Sequence, residues 1–141
     1  MHLRLRSITP LVALALGLGC ASLRPARPNS ANCPPSLVPY VRTTLYIGNS
    51  RYFAGDGWTR FTEEVLVKHL PAGGTVTENA GWWRRPDGTT AIGPGRLLTV
   101  LAPLSEITTH RAGIQAVIAE IKRVTGHLSV GWEEARLCAT F

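Results

Sequence analysis

The fold is decided by residues 58–88, WTRFTEEVLVKHLPAGGTVTENAGWWRRPDG. The first part predicts an amphipathic helix over 58–70, because its apolar side chains recur at spacings of three and four residues. Pro71 and the two glycines that follow end this helix. The second part predicts a strand over 75–85 with two adjacent tryptophans, and Pro86-Asp87-Gly88 is a strong turn signal. We expect this unit to anchor the hydrophobic core.

The remaining segments complete an alternation of strands and helices. Residues 41–48, VRTTLYIG, and 96–104, RLLTVLAPL, are rich in β-branched and apolar side chains and predict strands. Apolar residues at helical spacing predict a second helix over 110–124, and a last strand follows within 127–141. The order is β-α-β-β-α-β. It predicts an α+β fold of the ferredoxin-like type, a four-stranded antiparallel sheet with both helices on one face.

Length and charge restrict the class of protein. The 141 residues, of which 45% are hydrophobic and 17% charged, suffice for one small globular domain. The formal net charge is +6, yet residues 40–141 hold 11 lysines and arginines against 9 acidic residues. A nucleic-acid-binding domain concentrates its basic residues on the folded part of the chain. We therefore expect no nucleic-acid partner.

The N-terminus predicts export. Residues 1–19 combine a basic start with a short apolar run and end in small residues, as signal peptides do. The run of about 12 residues is too short for a bilayer, which requires ~20 helical residues. The sequence LGLGC resembles the lipobox of bacterial lipoproteins, so Cys20 is expected to carry lipid and to hold the protein on the periplasmic side of a bacterial membrane. Cleavage after Ala21 is the alternative and would leave a soluble periplasmic or secreted protein.

A linker is expected between the lipid and the domain. Residues 20–39 contain five prolines, which remove hydrogen-bond donors and prevent a helix or a central strand. The single folded domain is then predicted over 40–141. Cys33 and Cys138 remain after either cleavage, and in an exported protein they most simply form a disulfide bond that joins the two ends of the domain. Two free thiols are the alternative.

The adjacent tryptophans are the best binding candidates. Neighbouring side chains in a strand point to opposite faces, so one of Trp82 and Trp83 is expected in the core and the other outside. The outward tryptophan and Arg85 form the candidate binding surface, because exposed aromatic side chains beside cations bind glycans, aromatic ligands and protein partners. Burial of both tryptophans, one of them in a dimer interface or under a loop, is the alternative.

No motif for catalysis or for metal binding occurs in the sequence. Tyr46, His110 and His127 are weak candidates for acid/base work, and such scattered residues are more often structural. We expect no metal and no cofactor.

Several motifs together resemble a family of exported bacterial proteins, the domain of unknown function 3574. They include LYIG at 45–48, W-x-x-F at Trp58 and Phe61, L-P-x-G-x-T-V at 70–76, and C-x-x-F at 138–141. The resemblance runs from about residue 45 to the end of the chain. It implies an exported protein or lipoprotein and implies no particular activity.

The chain departs from the pattern of this family at two places. Gly93 and Gly95 occupy positions where the family tends to have a glutamate and a serine. His127 and Leu128 stand where a glutamine and a glutamate are usual. If those side chains carry chemistry in the family, this chain lacks it.

Two hypotheses about function follow. The preferred one is an exported, lipid-anchored binding or structural module of the cell envelope. Its partners would be the membrane, a second copy of the chain through the open sheet face, and a small ligand or an envelope protein. The alternative is a small cofactor-free enzyme of the dimeric α/β-barrel, monooxygenase-like type, with a pocket between sheet and helices.

Overall fold

The computed structural model describes residues 33–141. The signal peptide predicted over 1–19, the lipidation site predicted at Cys20 and the first part of the predicted linker lie outside the described residues. Within residues 33–141, no helix is long and apolar enough to cross a bilayer.

Four strands form one antiparallel sheet in the order β2-β3-β1-β4. The strands are β1 (Val38–Gly48), β2 (Thr75–Arg84), β3 (Thr90–Pro103) and β4 (Gly131–Ala139). Because β3 lies between β1 and β2, and β1 lies between β3 and β4, each helical crossover passes over one antiparallel strand. Both crossovers are therefore split βαβ units.

Two helices make these crossovers. Helix α1 consists of the α-helical segments Gly57–Phe61 and Val67–His69, with a π-helical turn, Thr62–Leu66, between them. Helix α2 comprises Ile107–Thr125. It ends at Gly126, whose φ of 71° lies in the left-handed region that glycine adopts without strain.

The hydrophobic core lies between the helices and one face of the sheet. Alternate side chains of the two central strands point into it, as the two-residue period of a strand requires. Both helices contribute to the same cluster, so they cover the same face of the sheet. Its most buried members are Leu45, Ile47, Phe53, Phe61, Leu98, Val100, Ile114, Val117 and Ile121.

The α+β class is confirmed, with a four-stranded antiparallel sheet and two helices. The largest difference is in β3, which begins at Thr90 and not at residue 96. Glycine and proline have poor strand propensity, and residues 93–95 are Gly-Pro-Gly. Pairing with β2 holds this segment in the ladder, in which Ala80 lies opposite Pro94. Strand β1 also begins early, at Val38, within the segment assigned to the linker.

The predicted disulfide bond between Cys33 and Cys138 is present. It joins the start of the described chain to the last strand across a sequence separation of 105 residues. Closing a loop of this length stabilises a fold by about 4–5 kcal/mol, because it restricts the unfolded chain. The bond also attaches Cys33 to the end of the sheet at which β1 begins.

Strands β2 and β3 continue past the end of β1. Gly48, the last residue of β1, lies opposite Gly95, whereas β2 and β3 stay paired as far as Arg84 and Thr90. Residues 80–94 therefore form a two-stranded projection, the hairpin arm. The arm extends from the end of the sheet opposite the disulfide bond.

Candidate functional site

Both adjacent tryptophans lie on the hairpin arm and outside the core. Trp82 is 77% exposed, and its cross-strand partner Ile92 is 83% exposed. Trp83 is 45% exposed and lies opposite Ala91, which is only 6% exposed. The expectation that one tryptophan enters the core is wrong. The arm extends beyond the end of β1, so among the described residues no third strand pairs with it and no helix packs over the tryptophans.

The two tryptophans point to opposite faces of the arm, as the strand period requires. Trp82 shares its face with Glu78, whose cross-strand partner is Arg96. The guanidinium of Arg96 lies 5.1 Å from the ring centroid of Trp58, at the start of α1. Trp82 is therefore on the side of the helices, and Trp83 is on the side of the open sheet face. The two rings do not form one platform.

Arg85 lies at the tip of the arm and is tied to the turn. Its backbone N–H donates to the carbonyl of Thr89 at 2.8 Å, and its Nη1 donates to Thr89 Oγ1 at 3.2 Å. Asp87 accepts hydrogen bonds from the hydroxyl and the backbone N–H of Thr89, which lowers the pKa of Asp87. Gly88, with a φ of 84°, completes the predicted turn. The three candidate residues therefore occupy two faces and the tip of one arm.

The three acid/base candidates do not converge. Tyr46 lies on the open sheet face, where its hydroxyl donates to Glu133 Oε2 at 2.7 Å; this bond raises the pKa of Tyr46. His110 lies on the opposite side of the sheet, on α2. His127 follows α2, and its Nε2 is 3.2 Å from the carbonyl oxygen of Asn49. Tyr46 and His110 are separated by the sheet itself, so no single pocket can use both.

His110 takes part in a buried polar contact that was not predicted from the sequence. Its Nε2 lies 2.8 Å from Oγ1 of Thr43, and both residues are buried between α2 and β1. Burial lowers the pKa of His110, the nearby Glu134 opposes this effect, and Arg111 adds to it. Arg111 and Glu134 form an ion pair at 2.6 Å. Thr43 lies at one of the positions of β1 that face the core, where its neighbours on the same face are apolar. A polar residue at such a position is the sequence signal that could have indicated this contact.

A cleft lies at the base of the hairpin arm, where β1 stops. Its volume is about 500 Å³. Among its residues, Asn79 has a buried side-chain oxygen, Oδ1, without a hydrogen-bond partner in the described part of the chain. The cleft also contains the ion pair of Arg96 and Glu78, at 3.4 Å. No sequence pattern had indicated a role for Glu78, Asn79 or Arg96. The lining consists of Asn49, Glu78, Asn79, Ala80, Pro94, Gly95 and Arg96.

Metal binding has no support in the described residues. Residues 33–141 contain no group of three histidine, cysteine, aspartate or glutamate side chains that is placed to hold a metal ion.

Fold and site together define a small α+β domain, closed by a disulfide bond, with a projecting hairpin and a cleft at its base. The family model described as a protein of unknown function (DUF3574) matches residues 42–141, and the chain belongs to that family. The resemblance noted from the sequence motifs is thereby confirmed. A search of curated proteins finds no match.

The solved structures that are similar to this chain include the following two. A phage SAM lyase in complex with S-methyl-5'-thioadenosine has 11% sequence identity and a TM-score of 0.53, over 72% of this chain and 90% of the lyase. CutA1 from Oryza sativa has 16% identity and a TM-score of 0.43, over 75% of this chain and 84% of CutA1. At its low identity, the likeness to the lyase shows a related fold alone.

His110 is expected to make the domain less stable in mild acid. The pKa of His110 is lower in the folded protein than in the unfolded chain, where it is about 6.5. Between these two values the unfolded chain binds a proton that the folded protein does not. The free energy of unfolding therefore falls as pH drops through about 6.5, and this loss levels off below the folded pKa. Urea unfolding between pH 5 and pH 8 measures the slope.

His110→Gln should remove this part of the slope, whatever its effect on the stability at neutral pH. The matched control is His127→Gln, which should keep it, because His127 is bonded outside the core. The pKa of Glu134 is also lowered, but a carboxyl group titrates at more acidic pH than a histidine, so Glu134 contributes little to the slope between pH 5 and pH 7. Equal slopes between pH 5 and pH 7 in the His110 variant and the unmodified protein would contradict the prediction.

Proposed function

We propose that this protein is an exported, lipid-anchored binding module of the bacterial cell envelope, with the hairpin arm as its binding end. The observation that carries the proposal is the exposure of Trp82 and Ile92, which lie opposite each other on the arm. Contiguous exposed apolar side chains are typical of interaction sites, and tryptophan is enriched among the residues that dominate binding energy.

The direction of the arm supports this role. The disulfide bond ties Cys33 to one end of the sheet, and the arm leaves the other end. The 14 residues of β3 connect the two ends and cover about 46 Å, at ~3.3 Å per residue. A lipid at Cys20 would tether the disulfide end to the membrane, so the arm would point away from the lipid surface.

A partner of suitable chemistry is an envelope protein with an apolar groove. Trp82 and Ile92 would enter the groove, and Arg84, on the same face of β2, would lie at the polar rim of the contact. Export itself is supported by the disulfide bond, since such bonds persist in oxidising compartments and are rare in the cytosol of mesophiles.

The arm can be tested by site-specific cross-linking in living cells. A photoreactive phenylalanine analogue in place of Trp82 should give an adduct of one defined mass with an envelope protein. Ile92→Asp in the same chain should abolish the adduct, because it places a charge at the centre of the apolar contact. The matched control carries the analogue at Val67, an exposed apolar residue on α1. The same adduct from Val67, or one that tolerates Ile92→Asp, would refute the role of the arm.

The lipid anchor makes a separate prediction. Cys20→Ser removes the thiol that would receive the lipid, so the protein should move from the membrane fraction to the soluble periplasmic or secreted fraction and lose labelling by radioactive palmitate. A double variant, Cys33→Ser with Cys138→Ser, keeps Cys20 and should remain in the membrane fraction. Membrane association of the Cys20→Ser variant equal to that of the unmodified protein would rule out the anchor.

We also propose that a second copy of the chain packs against the open sheet face and forms a dimer. That face carries half-buried apolar side chains on the three strands β1, β3 and β4, namely Tyr40, Leu97, Leu101 and Leu137. Four strands spaced by ~4.8 Å and about nine residues long present roughly 600 Å². Two such faces would bury about 1,200 Å², which is the lower end of the range for stable interfaces.

Sedimentation velocity tests this dimer. The unmodified protein should sediment as a dimer, and Leu101→Asp should sediment as a monomer, because it places a charge in the middle of the face. Val67→Asp puts the same charge on the outer surface of α1 and should leave the dimer intact. A monomeric unmodified protein, or a dimer that survives Leu101→Asp, would show that the sheet face is not the interface.

A further inference from the structure

At the end of the sheet where β1 begins, the disulfide end, the described strands carry no charged side chain. Three segments meet there, because β1 pairs with the end of β3 and with the end of β4. They are residues 33–41, CPPSLVPYV, 101–105, LAPLS, and 137–141, LCATF. None of the three contains an aspartate, glutamate, lysine or arginine. A contiguous apolar surface marks a contact with a protein or with a membrane.

Two large apolar side chains are exposed at the disulfide end. Phe141 is 86% exposed and Val38 is 52% exposed. The ring of Phe141 packs on the ring of Tyr40, with 5.4 Å between the centroids, and Tyr40 lies on the same face of β1 as Val38. These side chains and an adjoining cleft of about 540 Å³ form one continuous surface. The cleft is lined by Val38, Pro39, Tyr40, Pro103, Leu104 and Ser105.

Cations border this apolar surface. Counted from the disulfide end, the first charged side chain of β1 is Arg42, and the first of β4 is Arg136, which lies opposite Val41. Arg42 is four residues from Val38, which is about 13 Å at ~3.3 Å per residue. The acidic Glu106 belongs to the turn into α2, on the side of the helices. A bilayer is complementary to this order, because its acyl region lies beneath a layer of anionic phosphates.

The predicted anchor would hold the disulfide end close to a bilayer. Twelve residues separate Cys20 from Cys33, which is bonded to Cys138, and they span at most about 45 Å when fully extended. They include Arg24 and Arg27 and no acidic residue, a composition that anionic lipids attract. A short tether raises the effective concentration of the two surfaces, so a contact that is weak without the tether becomes populated with it.

From these observations we infer that the disulfide end docks directly on the lipid bilayer, with Phe141 and Val38 below the head groups and Arg42 level with the phosphates. The contact rests on the lipid anchor of the proposed function, because the anchor brings the surface to the bilayer. Amphipathic surfaces enter the boundary of head groups and acyl chains by ~5–10 Å, so Arg42, about 13 Å from Val38, remains outside the acyl region. Docking fixes the direction of the hairpin arm, which the linker alone leaves free.

Photocross-linking on vesicles tests the contact. The disulfide-bonded chain from residue 21 onward carries an N-terminal histidine tag, which tethers it to vesicles of phosphatidylethanolamine, phosphatidylglycerol and a nickel-chelating lipid. A photoreactive phenylalanine analogue in place of Phe141 should give an adduct that is heavier by the mass of one phospholipid. Mass spectrometry measures the adduct and its yield.

The matched control carries the analogue at Ile92 on the arm, where the side chain is 83% exposed. Ile92 is eleven residues of β3 away from Pro103, which is about 36 Å. That distance exceeds the depth to which docked surfaces enter a bilayer, so the analogue at Ile92 should give at least about tenfold less lipid adduct.

Val38→Asp should lower the yield of the adduct at Phe141 by at least about tenfold, because it replaces an apolar side chain that the bilayer buries with a charge. Ile92→Asp places the same charge on the arm and should leave the yield within about twofold, since the two sites are distant and independent. Near-UV circular dichroism verifies that both variants fold.

Three results would overturn the inference. They are a lipid adduct at Phe141 no more abundant than at Ile92, a yield that tolerates Val38→Asp, and an adduct with a second copy of the chain in place of phospholipid. The histidine tag supplies the tether, so the outcome does not depend on lipid at Cys20, and a failure here is distinct from a failure of the anchor. Val38→Asp tests the bilayer contact, whereas Ile92→Asp in living cells tests the partner.

Discussion

Strand β1 ends at Gly48, opposite Gly95, while β2 and β3 remain hydrogen-bonded beyond that point. This difference in strand length determines the rest of the surface. On the side of Gly48 that carries β1, the central strands are covered by α1 and α2 and form the core. Beyond Gly48, β2 and β3 form a two-stranded ribbon, which has no interior in which to bury a tryptophan. The hairpin arm, its exposed apolar pair and the cleft at its base all follow from the end of β1.

The polar groups in the core and those at the base of the hairpin arm differ in their bonding partners. In the core, Thr43 and His110 satisfy each other across the interface between sheet and helix. Burial favours the neutral imidazole, and the pair is closed to solvent, so its role is in stability. At the base of the arm, Oδ1 of Asn79 has no such partner among the described residues, and Arg96 contacts aromatic rings and one exposed carboxylate.

Sequence periodicity predicted the regular elements well, because it reports which side of an element is covered. The apolar spacing in α2, the Pro/Gly stop after α1 and the Asp87-Gly88 turn all correspond to observed structure. The early part of β3 was missed because Gly93, Pro94 and Gly95 have little strand propensity of their own. Pairing with β2, a nonlocal interaction, supplies what the local sequence lacks.

Residue types and their spacing were enough to predict the α+β class, the family, the disulfide partners and the opposite directions of Trp82 and Trp83. The tertiary structure alone established that neither tryptophan is in the core, that Tyr46 and His110 lie on opposite sides of the sheet, and that a cleft lies at the base of the arm, where β1 ends. These facts depend on where neighbouring strands stop and which layers lie above them. That information belongs to pairs of segments distant in the chain, and no local pattern contains it.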